Sequence, residues 1–164
     1  MTGGETHEVL ATSLIATDPM KLTQFAFVIR EPESVSYFWK RLGFPEFEFT
    51  QVPLRDLVFR GRPGRVNQQL AWQRHGRVAY EWCVPLSGLT VHQEHLQRHG
   101  EGLHHLGFEV DDIDRALAAW KAQGIAAVQS GAWGEAGKAG SGRFAYLDTD
   151  FMGGVTIELL WNHK

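Results

Sequence analysis

Apolar and polar positions alternate along "LHHLGFEV" (103–110), stop at "DDID", and then recur every three to four residues through "RALAAWKA". The first period belongs to a strand and the second to a helix, so this stretch reads as strand, turn and helix. Asp112 and Asp114 stand where a helix N-terminus favours negative charge, and Gly124 stands where the chain leaves the helix. The same succession of periods occurs earlier. "LTQFAFVIREPESVSYFWKRLGF" (22–44) aligns without a gap on "LHHLGFEVDDIDRALAAWKAQGI" (103–125) at an offset of 81. Leu22 falls on Leu103, Phe27 on Phe108, Trp39 on Trp120, Lys40 on Lys121 and Gly43 on Gly124. A second pair, "RVAYEWCV" (77–84) over "GVTIELLW" (154–161), aligns at an offset of 77, a difference of loop length. Two matched elements in the same order indicate duplicated halves.

Between the matched elements lie further strand-like runs, "EFEFTQV" and "VNQQLAWQ" in the first half, "AAVQ" and "GRFAYLDTD" in the second. Each half therefore reads β-α-β-β-β, an α+β arrangement. The expected division is a tail over 1–20, a first module over 21–85, a linker helix within 86–101 and a second module over 102–162. "GAWGEAGKAGSG" (131–142) is expected to be a mobile loop, serving as a plain connector or as a lid over a pocket.

Composition narrows the function classes. The 164 residues are 43% hydrophobic with a formal net charge of −3, which gives no electrostatic footprint for nucleic acid or a membrane surface. No apolar run approaches the roughly 20 residues of a membrane helix, and the acidic start lacks the basic region of a signal peptide. The single cysteine, Cys83, excludes an intrachain disulfide and suits a reducing cytoplasm. Charge is nonetheless uneven: six arginines lie between Arg55 and Arg77 against one acid, Asp56. That segment reads as an exposed hairpin with a solvated face, or as a contact surface for an anionic substrate.

Strand parity selects the candidate chemistry. His105, Gly107 and Glu109 share one face of their strand, and His104 falls on the other with Leu106 and Phe108, as a packed or supporting residue. Gln24 is the repeat mate of His105, and Glu81 is the mate of Glu158, each a carboxylate inside an otherwise apolar strand. A buried carboxylate has to be paired, protonated or bound to a metal. If a pseudo-twofold axis relates the halves, Gln24, Glu81, His105 and Glu158 converge. One imidazole, two carboxylates and an amide oxygen suit Zn²⁺, Ni²⁺, Co²⁺, Fe²⁺ or Mn²⁺. His92, His95 and His99 follow one helix face and read as a solvated stripe rather than a second site.

With "GEGLHHLGFEVDDID" followed by "GGVTIELLW", residues 21–162 resemble the vicinal-oxygen-chelate superfamily, which includes glyoxalase I, methylmalonyl-CoA epimerase, extradiol dioxygenases and bleomycin-resistance proteins. The resemblance implies paired βαβββ modules forming an incomplete, cupped barrel around a divalent metal. The epimerase pattern matches His105 and Glu158, but it has histidine at Gln24, commonly glutamine at Glu81, and an acid where this chain has Gln68 and Gln69. Gln24, Glu81, His105 and Glu158 together resemble the zinc ligands of eukaryotic-type glyoxalase I. The implied activity is a metal-dependent isomerase, lyase or epimerase of glyoxalase I or acyl-CoA epimerase type. It transfers a proton at a carbon next to a carbonyl, with Glu158 as base and Glu81 as its symmetric partner. Arg60, Arg62, Arg65 and Gln69 are the expected contacts to a carbonyl or thioester substrate. The alternative is a resistance-type protein that binds and sequesters a small molecule without catalysis. Family members often dimerise, some forming the site between chains, and the linker here is long enough for either arrangement.

Overall fold

The computed structural model describes residues 20–164, so all but the last residue of the tail expected over 1–20 lies outside the described residues. In chain order the strands are β1 (Lys21–Val28), β2 (Thr50–Gln51), β3 (Leu54–Phe59), β4 (Arg62–Pro63), β5 (Asn67–His75), β6 (Val78–Ser87), β7 (Gly102–Glu109), β8 (Ala127–Trp133), β9 (Gly142–Leu147) and β10 (Thr156–Asn162). The helices are α1 (Pro32–Arg41), α2 (Val91–Arg98) and α3 (Ile113–Ala122).

The duplicated strand pairs become equivalent ladders. β1 lies parallel to β6, with Gln24 opposite Ala79 and Ala26 opposite Glu81. β7 lies parallel to β10, with His105 opposite Thr156 and Gly107 opposite Glu158. Every second-half residue in these pairs is the repeat mate of its first-half counterpart, so the two sequence offsets become one register in space. β1 and β7 pair antiparallel between them, Gln24 opposite Gly107 and Ala26 opposite His105. That exchange is the signature of a local twofold axis.

The ten strands form one mixed sheet in the order β2-β5-β6-β1-β7-β10-β9-β8-β3-β4. β2 and β3 stand near opposite ends of that order, yet only Val52 and Pro53 separate them in sequence. A link of that length reaches at most about 11 Å, so the sheet curls until its two ends approach and a half-barrel results. The hairpin of β3 and β4 has no counterpart in the second half. It leaves the first module and pairs with β8, Leu54 opposite Trp133 and Phe59 opposite Gln129. Because of it, "EFEFTQV" contributes only the two residues of β2.

Helices α1 and α3 cover the outer face. Ile113 and Ala116 of α3 pack on Val110, Ala145, Leu147 and Leu159. Beneath α1, Val35 and Trp39 meet Ile29, Ala71, Trp82 and Val84. The caps differ between the halves: Asp112 accepts from the backbone N–H of Arg115 at 3.0 Å, whereas Glu31 makes no side-chain cap bond and Pro32 starts α1. The glycine-rich loop is shorter than expected. β8 runs on to Trp133, and the ring of Phe144 fills the space where a Cβ on Gly131 would go, leaving only residues 134–141 as the turn.

Candidate metal centre

Four adjacent strands, β6, β1, β7 and β10, each point one polar side chain into the barrel: Glu81, Gln24, His105 and Glu158. These side chains are between 0% and 8% exposed. The Gln24 amide nitrogen donates to Glu81 at 3.0 Å and to Glu158 at 2.8 Å. His105 Nε2 lies 3.1 Å from Glu81, 3.2 Å from Glu158 and 3.5 Å from the Gln24 amide. Ligands about 2.0–2.2 Å from a tetrahedral cation stand roughly 3.3–3.6 Å from one another, so the observed separations are within about half an ångström of that shape. Gly107 makes the close approach to β1 workable, because a Cβ there would overlap the Gln24 side chain.

The charges in this cluster do not balance. Two buried carboxylates share one imidazole, and among the described residues no lysine or arginine is ion-paired to them. Burial pulls the His105 imidazole down, but Glu158 and then Glu81 outweigh it and hold its pKa at about 9. Burial pushes the Glu158 carboxyl up, against the opposing pull of His105 and, more weakly, of the Tyr146 hydroxyl. The donor set therefore fits a divalent cation, which would supply the missing positive charge. With a cation present, a half-turn of the Gln24 amide presents its oxygen in place of its nitrogen.

His104 departs from the expected parity. In the β1–β7 ladder Ala26 faces His105 and Phe27 faces Leu103, so His104 is the extra residue of a β-bulge. A bulge turns a side chain away from strict alternation. His104 accordingly leaves the outer apolar face for the α2 side, and its Nδ1 lies 2.8 Å from Nδ1 of His105. One ring donates and the other accepts. With the proton on Nδ1 of His105, its Nε2 lone pair is directed at the cluster, the tautomer a cation requires. His92 is a second correction. It is buried, not part of a solvated stripe; its Nδ1 lies 3.2 Å from Gln68 Oε1, and its ring nitrogens group with those of His104 and His105. No alternation or spacing rule reveals this layer, because both the bulge and the inward face of α2 arise from tertiary packing.

The cluster opens into a cleft of about 430 Å³. Gln68 and Gln129 lie at its inner end, and Trp72, Trp133 and Phe144 form apolar wall. The expected substrate contacts are elsewhere. Gln69 is off the wall because β5 presents Gln68, Leu70, Trp72 and Arg74 to the cleft, leaving odd-numbered positions on the other face. Arg60 sits at positive φ in the β3–β4 turn, its fork held by Glu94 at 2.7 and 3.0 Å. Arg62 and Arg65 follow it on the exposed hairpin, also outside the cleft lining. The arginines that do line the cleft are Arg74 and Arg77.

A family profile described as the glyoxalase/bleomycin resistance protein/dioxygenase superfamily matches residues 23–146. Among curated proteins, none matches the sequence. The fold is similar to that of a hypothetical protein from Bacillus halodurans C-125, at 19% identity over 88% of this chain and 96% of that one, with a TM-score of 0.59. It is also similar to methylmalonyl-CoA epimerase from Mycobacterium tuberculosis, at 18% identity over 88% and 89% of the two chains, with a TM-score of 0.55. A Streptomyces coelicolor methylmalonyl-CoA epimerase variant in complex with 2-nitronate-propionyl-CoA aligns at 18% identity over 88% and 98%, with a TM-score of 0.55.

Proposed function

This chain belongs to the glyoxalase/bleomycin resistance protein/dioxygenase superfamily, and from that premise we propose that it is a metal-dependent isomerase, lyase or epimerase. Its reaction moves a proton at a carbon next to a carbonyl. The observation that carries this reading is the convergence of Gln24, Glu81, His105 and Glu158 on one buried point with too little positive charge. These four would hold Zn²⁺, Ni²⁺, Co²⁺, Fe²⁺ or Mn²⁺. A divalent ion at such a site stabilises negative charge on a substrate oxygen and thereby acidifies the adjacent C–H. Glu158 takes the proton and returns it to the neighbouring carbon or to the opposite face of the same carbon, with Glu81 as its symmetric counterpart. The hydroxyl of Tyr146 favours the charged form of the Glu158 carboxylate, and His104 fixes the ring of His105. The apolar wall of the cleft keeps bulk water from the proton in transit. Similarity to an epimerase in complex with an acyl-CoA analogue supports a thioester as one substrate class, and the donor set supports a hemithioacetal as another.

The test is solvent deuterium exchange, followed by NMR, into acyl-CoA thioesters and glutathione hemithioacetals with metal-loaded protein. Exchange into one class, abolished in Glu158→Gln with some metal still bound, is the expected result; exchange at the wild-type rate in that variant overturns the role of Glu158. The aromatic wall favours one further reading, a protein that sequesters an aromatic compound. Absence of bound metal after supplementation, with tight binding of such a compound, would select it.

A further inference from the structure

The four-residue cluster is nearly symmetric: the local axis exchanges Gln24 with His105 and Glu81 with Glu158. The same axis exchanges the two ends of the barrel, and only one end is open. α2 closes the other, with Val91, His92 and Leu96 buried there and Gln68 bonded to His92. At the open end the starts of β1 and β6 and the end of β5, three neighbouring strands, lie side by side. Lys21 begins β1, Arg74 lies near the end of β5, and Arg77 leads into β6; all three line the cleft. Glu109, opposite Lys21 at the end of β7, is the one acidic residue among these rim groups. Among the described residues no ion pair or side-chain hydrogen bond holds Lys21, Arg74 or Arg77, whereas Arg55, Arg60 and Arg143 are each engaged by a carboxylate. Nor are these cations remnants of the duplication: Lys21 and Arg77 align with Gly102 and Gly154.

We infer that the substrate carries an anionic group, carboxylate or phosphate, at the end remote from its reacting carbonyl, and that Lys21, Arg74 and Arg77 bind it. The inference rests on the metal-centre reading above, and it adds a second point of attachment for the substrate at a stated place on the rim. Register supplies the ruler. Trp72 stands opposite Glu81, and Arg74 is two residues farther out, opposite Ala79. Diagonal neighbours in such a ladder are roughly 7–8 Å apart, so the anion sits within one arginine side chain of the cluster, with the Trp72 ring between. Two guanidiniums and an ammonium on one side of the mouth also remove the degeneracy of the symmetric cluster, because only one orientation of a bound oxygen chelate leads its tail to them.

The experiment uses hydroxamates that differ at the far end, carboxylate, phosphonate or neutral methyl ester, across a series of methylene counts. Binding to metal-loaded protein is followed by tryptophan fluorescence, reported by Trp72 and Trp133 on the wall. At one chain length an anionic form is expected to bind about tenfold tighter than its ester, the size of one charge-assisted hydrogen bond. The better of the two anionic forms identifies the group. The preference should shrink with added salt. In the Lys21→Gln, Arg74→Gln, Arg77→Gln triple variant the ratio should fall to within about twofold, with metal content by elemental analysis unchanged. Equal binding of ester and anion to the wild type, or a preference that survives in the triple variant, overturns the inference. Absence of metal uptake overturns the metal centre alone. The rim is then judged by phenylalkanoates against their amides on the same two proteins, with the same criteria.

Discussion

Replacing Glu158 by glutamine separates a metal ligand from a structural ion pair, because only the first role makes the effect of the substitution depend on metal. The substitution keeps the side-chain shape and removes one charge. In metal-free protein it deletes the attraction to His105 at 3.2 Å, about 5 kcal/mol at an effective dielectric constant of 20. It also deletes repulsion from Glu81, whose carboxylate oxygen lies within 4.8 Å, at least about 3.5 kcal/mol on the same footing. The two nearly cancel, leaving about 1.5 kcal/mol, so in chelator the variant should melt within about 3–6 °C of wild type, using roughly 2–4 °C per kcal/mol for a chain of this size. With metal at about a thousand times its dissociation constant, wild type gains about 4 kcal/mol, or roughly 8–16 °C. A variant that binds about a hundredfold more weakly gains only about 1.4 kcal/mol at that concentration. The assay is thermal unfolding by circular dichroism at neutral pH, with each of Zn²⁺, Ni²⁺, Co²⁺, Fe²⁺ and Mn²⁺ and with chelator. A Tm that no metal moves in either protein, with the same gap between wild type and variant in chelator and in every metal, would mean that Glu158 is only the partner of a buried imidazolium.

Gly107→Ala places a Cβ on the Gln24 side chain and should weaken metal binding by about ten- to a hundredfold in calorimetric titration, the range seen when a supporting contact of a metal ligand is lost. Unchanged affinity would show that Gln24 contributes nothing to the site. Asp112→Ala should lower stability by about 1 kcal/mol in urea denaturation, whereas Glu31→Ala at the matching position, which has no cap bond, should leave it within a few tenths.

Why did the cluster show in the sequence while its surroundings did not? Gln24, Glu81, His105 and Glu158 sit on strands whose registers repeat, so an alignment of the two halves already puts mates at matching depth. The rule fails wherever a ladder is irregular. His104 occupies a bulge, and period-two counting passes through a bulge without registering it. The rim cations fail for another reason. Arg60, Arg62 and Arg65 lie in the same arginine-rich segment as Arg74 and Arg77, and only the pairing of β3 with the distant β8 carries the first three away from the cleft. That pairing links residues some seventy positions apart and leaves no trace in local periodicity. The outer helix faces were legible in part: α3 buries Ile113 and Ala116 as its apolar spacing requires, while α1 has the same pattern yet leaves Tyr37 and Phe38 exposed.

The one-sided opening follows from the way the halves are joined. β6 runs parallel to β1, and β1 runs antiparallel to β7, so β6 finishes and β7 starts at the same end of the barrel. A short connection between them must cross that end. Residues 88–101 do so, and α2 forms within them because Thr90 caps it, accepting from the backbone N–H of Gln93 at 3.0 Å. The inward face of α2 then has two kinds of neighbour. Val91 and Leu96 join the apolar clusters around Phe144 and Leu70, while His92 meets Gln68 and the two adjacent histidines of β7. A tandem duplication thus closes one of two equivalent mouths by connectivity alone. The remaining mouth is where β1, β5 and β6 place Lys21, Arg74 and Arg77, which line the cleft into which the cluster opens. Joining the modules is therefore what converts a symmetric cage into a directional site.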